Sequence, residues 1–153
     1  MAKIKREYIV AIVALVVLIV LALVYLNNSS NNSARDKAQD AYDQKVIAVN
    51  DQIAIVNNFS AQWQTTMLIS QVKDFLNDYR SNLTTLASMV NDTKAAGDTF
   101  KGYLKPGSTE YVTVTTNEQT LKGNLDFCIS EYNQHASSYN DNVGEQFGKA
   151  SLF

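Results

Sequence analysis

The chain has 153 residues, 13 Lys+Arg against 15 Asp+Glu and a formal net charge of −2, which leaves room for one small domain at most. One cysteine and one histidine exclude an intramolecular disulfide, a Cys-rich zinc site and every His-pair metal motif. The near-neutral balance lacks the concentrated basic surface that phosphate binding needs, so nucleic acid is not an expected partner. One proline and six glycines supply few turns and favour long helices over a sandwich or barrel.

Residues 8–26 read YIVAIVALVVLIVLALVYL, 19 residues without a charge. As a helix they span ~28 Å, close to the ~30 Å hydrocarbon core of a bilayer. A secretory signal has a shorter apolar region, usually about 7–15 residues, and ends in a small-x-small cleavage site. This run proceeds instead into Val24, Tyr25 and Leu26, so it reads as a retained transmembrane anchor. Lys3, Lys5 and Arg6 precede it, while the stretch NNSSNNS at 27–33 is uncharged. The positive-inside rule then predicts a cytoplasmic tail at residues 1–7 and an extracytoplasmic body at 27–153. Tyr8 and Tyr25 bracket the span at the depth that aromatic anchors prefer. Ala11, Ala14 and Ala22 do not have the spacing of a small-xxx-small dimerisation face. A tail of about seven residues cannot fold, so the function is expected outside the cytoplasm or through other membrane subunits. Residues 27–33 suit either a polar linker or a continuation of the helix.

The body, 34–153, reads as mainly α. Ser33 with Asp36 resembles a capping-box start. Tyr42, Val46, Val49, Ile53 and Val56 then repeat at spacings of three and four, the signature of one apolar helix stripe. Trp63 and Met67 continue that frame, but its extension lands on Ser70, Asp74, Asn77, Ser81 and Thr84. A new frame starts with Leu68, Val72, Phe75, Tyr79, Leu83, Leu86 and Val90. A continuous helix over 34–96 would be ~95 Å long, more than the remaining chain can cover, so a break is expected at 57–62. Gly97 after Ala95-Ala96 reads as a left-handed helix cap. Gly102, the Pro106-Gly107 turn pair and the β-branched stretch Tyr111–Thr115 mark 97–116 as a loop.

Thr115-x-x-Glu118 reads as a capping box. It precedes the longest stripe, Leu121, Leu125, Cys128, Tyr132, His135, Tyr139, Val143 and Phe147. The expected helices are therefore about 34–56, 61–96 and 117–149. Three amphipathic helices bury their stripes most economically as an antiparallel bundle.

Little in the chain points to chemistry. Cys128 and His135 share one stripe, but seven residues of helix separate them by ~10.5 Å, so they cannot pair or share a metal and are expected to be structural. Asp36, Asp40 and Asp43, and Asp74 with Asp78, lie among Arg35, Lys37, Lys73 and Arg80, which marks a solvated mixed-charge face rather than a cation site. No P-loop, G-x-S-x-G, H-E-x-x-H or EF-hand pattern is present. Neither an enzymatic activity nor a cofactor is expected. Asn27, Asn28, Asn31, Asn58, Asn82 and Asn91 begin N-x-Ser/Thr triplets. The first three lie close to the predicted membrane, leaving Asn58, Asn82 and Asn91 as the candidate glycosylation sites.

Tyr132-Asn133 and Tyr139-Asn140, with Phe147-Gly148 beyond, resemble the closing YN-x5-YN and FG pattern of the LemA family. Members of that family pair an N-terminal membrane helix with an outer helical bundle. The resemblance covers about residues 121–148, and the family's early basic, proline-containing motif is missing. It implies a membrane-tethered helical protein.

The chain is expected to be a single-pass protein of the cell membrane whose extracytoplasmic bundle acts as a structural or interaction subunit. Its expected partners are the lipid bilayer and other membrane or surface proteins, including copies of itself. A pilin-like filament subunit, with apolar N-terminal helices forming the fibre core, is the alternative. Against it, no processing site precedes the apolar run, and Glu7 lies before that run rather than within it. A ligand-sensing ectodomain would need a partner to relay its signal.

Overall fold

The computed structural model describes the backbone of residues 6–63 and 68–143, and the side chains of 31–63 and 68–141. Among the described residues there are three α-helices and no strand: α1 (Arg6–Gln62), α2 (Ile69–Lys101) and α3 (Thr109–Val143). The chain divides into two compact units, Met1–Lys37 and Ala38–Phe153. The first holds the N-terminal part of α1. The apolar run at 8–26 falls where side chains lie outside the described residues, and among the described residues no helix is long and apolar enough to cross a membrane.

The second unit is the bundle, and contacts between its helices fix their directions. Tyr42 of α1 lies beside Phe100 near the end of α2, with ring centroids 6.3 Å apart, whereas Phe59 stacks on Tyr79 at 5.6 Å and 14°. Later residues of α1 meet earlier residues of α2, so these two helices are antiparallel. Tyr79 of α2 meets Tyr132 of α3 edge-on at 5.4 Å, while Lys101 pairs with Glu118, which makes α2 and α3 antiparallel as well. The up-down-up arrangement buries all three stripes together.

Most of the core is one cluster containing Val49 and Val56 of α1, Leu76, Tyr79, Leu83 and Leu86 of α2, and Leu121, Cys128, Ile129, Tyr132, Ala136 and Tyr139 of α3. A smaller cluster of Tyr42, Phe100, Leu104 and Val114 closes the end near the α2–α3 turn.

Several helix boundaries differ from those the sequence suggests. Residues 27–33 are helical, the second of the two readings their sequence leaves open, and α1 passes through Ser33 rather than starting there. Residues 57–62 also remain helical because Phe59 and Ser60 are held by α2 and α3. α1 ends at Gln62 and α2 begins at Ile69; residues 64–67, including Met67, lie outside the described residues. Leu68 takes the extended N-cap conformation of α2, and Gln71 Oε1 reaches back to accept from its N–H at 3.1 Å.

Gly97 is interior to α2 rather than its cap, because α2 continues to Lys101. The connection is therefore the short turn 102–108, not the loop 97–116. Gly107 has φ 81°, a left-handed value that its lack of a side chain permits.

Tyr111–Thr115 form the opening turns of α3. Ser108 rather than Thr115 starts that helix: its Oγ accepts from Tyr111 N–H at 3.3 Å. Thr115 Oγ1 instead bonds back within the helix, donating to Tyr111 O at 2.9 Å. Burial of Val114 overrides the β-branched local preference. At the other end, the predicted extent of the last helix over 144–149 and the Phe147 side chain lie outside the described residues, as does the Val143 side chain.

Candidate functional site

Two places in the bundle concentrate polar groups against apolar ones. The first is a network joining α1 and α3. Ser60 Oγ donates to Glu131 Oε2 at 2.8 Å and lies 3.2 Å from His135 Nε2. Glu131 and His135 are one helical turn apart on α3, so both reach the same hydroxyl from one face. Trp63 stacks on the imidazole with centroids 4.5 Å apart at 22°. Burial pushes the His135 pKa down, only partly opposed by the Glu131 carboxylate.

A serine, a histidine and a glutamate in contact invite comparison with a hydrolytic triad, but the proton count argues otherwise. A carboxylate only accepts, so the single hydroxyl proton of Ser60 goes to Glu131. The oxygen must then accept from His135, which places the imidazole proton on Nε2. An activated serine needs the reverse, with the imidazole accepting the hydroxyl proton. In this arrangement Ser60 is a clasp between helices.

Cys128 is part of the same seam, though not of the same network. Its Sγ donates to Asn57 Oδ1 at 3.4 Å, and burial raises the thiol pKa, which disfavours the reactive thiolate. Cys128 and His135 thus have different partners on α1. Tyr79 OH donates to Cys128 O at 3.5 Å, and burial drives the Tyr79 phenol far above its usual range.

The second place is an open groove of about 390 Å³ between α2 and α3. Ala87, Val90, Leu121 and Leu125 form its floor, and Lys94, Glu118, Lys122 and Asp126 stand on its rim. Lys94 bonds Asp98 at 2.6 Å, and Lys122 lies 3.8 Å from Asp126. Glu118 closes one end: its Oε2 takes Lys101 Nζ at 2.7 Å, while Oε1 is buried without a hydrogen-bond partner among the described residues and lies over Gly97. Burial opposes the charge of Lys101, but hydrogen bonds to Asp98 and Glu118 outweigh it and raise the pKa.

The candidate residues from the sequence occupy separate places. Asn58 and Asn91 are exposed on α1 and α2. Asn82 is engaged: its Nδ2 donates to Asp78 O at 2.9 Å and its Oδ1 accepts from Gln52 Nε2 at 3.2 Å. Asp36, Asp40, Asp43, Asp74 and Asp78 are all exposed, and no group of three or more His, Cys, Asp and Glu among the described residues is placed to hold a metal ion. Ser60 and Glu131 were not singled out from the sequence. The one available signal was the i, i+4 spacing of Glu131 and His135, because Ser60 is 71 residues from Glu131.

No protein-family model matches the chain, and neither a curated protein nor a solved structure matches it. Tyr132 and Tyr139, which carry the likeness to the LemA family, are buried core residues. Their seven-residue spacing is the spacing that a packed helix face requires.

Proposed function

We propose that this protein is a single-pass membrane protein whose helical bundle works outside the cytoplasm as a structural or interaction subunit, without enzymatic activity. The observation that carries the reading is the uncharged 19-residue run at 8–26, preceded by Lys3, Lys5 and Arg6 and followed by a chain that folds as a helical bundle. A bundle whose Ser60–Glu131–His135 network joins helices fits a binding or scaffolding role better than a catalytic one. Its partners are the bilayer and other membrane or surface subunits.

The test is membrane fractionation followed by native mass analysis of the detergent-extracted protein, with protease added to sealed cells. The protein should resist extraction by carbonate, and external protease should remove the bundle. Recovery in the soluble fraction would refute the anchor, and full protection from protease would refute the orientation.

A filament subunit is the second reading, and one observation favours it. The uncharged run at 8–26 is long enough to form an apolar fibre-core helix. Ladders of high mass in the native spectrum would support it over a discrete complex.

A further inference from the structure

We draw no further inference here: the strongest candidate, the apolar groove between α2 and α3 floored by Ala87, Val90, Leu121 and Leu125, carries lysines and carboxylates together on its rim, and nothing in the structure shows what covers it.

Discussion

Replacing Gly97 by alanine tests the packing where all three helices meet. A β-carbon at this position would collide with Glu118 Oε1 and lie 3.2 Å from Glu118 Cδ and 3.1 Å from Tyr42 Cε2. Two effects oppose each other. Alanine is preferred over glycine inside a helix by about 1 kcal/mol. Overpacking costs ~1–3 kcal/mol, and a retreat of Glu118 strains its Oε2 bond to Lys101, a charge-assisted contact that contributes ~1.5–3 kcal/mol. The two side chains of that pair are only 14% and 11% exposed, so solvent replaces the bond poorly.

The costs win, and Gly97→Ala should destabilise the bundle by about 2–3 kcal/mol. In a Glu118→Ala background the collision with the carboxylate is gone and only the 3.1 Å approach to Tyr42 Cε2 remains, so the helix preference for alanine roughly offsets the remaining crowding and the same substitution should be close to neutral. Urea unfolding of the four proteins, followed by far-ultraviolet circular dichroism at pH 7, gives the coupling directly. A neutral or stabilising Gly97→Ala in the unmodified background, or a coupling below about 0.5 kcal/mol, would refute the contact.

Leu76→Ala should cost about 3 kcal/mol because the side chain is fully buried, and Phe75→Ala should cost less because Phe75 is half-buried at the edge of the cluster; their urea midpoints rank the two. Cys128→Ala should cost ~1–2 kcal/mol and leave any binding intact, while the native thiol should resist a thiol reagent that modifies the unfolded chain at once. His135 has a folded pKa below its ordinary 6.5, so the unfolded chain takes up the proton first. Its contribution is therefore complete above pH 6.5 and is lost as the pH falls toward the folded value. Urea midpoints across this range should fall more for the unmodified protein than for His135→Gln, and parallel curves would refute the assignment.

The helical class and the three stripes were legible because an amphipathic helix repeats its signal over many turns. Val49 and Val56, Tyr79 and Leu86, and Leu121, Cys128 and Tyr132 all stand in the core as their spacing required. Helix ends were less legible, since at two of them a contact with a distant residue overrides the local signal. Asn57-Asn58 looked like a break, yet the next two residues are held by α2 and α3. Thr115-x-x-Glu118 looked like a start because its spacing is that of a capping box, but Glu118 bonds Lys101, 17 residues away. Phe75 stood in the predicted stripe, whereas Leu76 beside it is the residue without exposure. A stripe fixes a face only to within about one residue, since neighbours on a helix are about 100° apart.

The polar contacts also account for something the apolar stripes cannot. A seam of aliphatic and aromatic residues repeating every three or four positions loses little burial when one helix slides by a turn, whereas a hydrogen-bonded pair is broken by the same slide. α1 is pinned at four levels: Tyr42 OH donates to Val114 O, Gln52 Nε2 to Asn82 O, Cys128 Sγ to Asn57 Oδ1, and Ser60 Oγ to Glu131. A slide of one turn is ~5.4 Å, which would break all four. Sequence alone shows only half of each pair, so register is the property least visible in the chain.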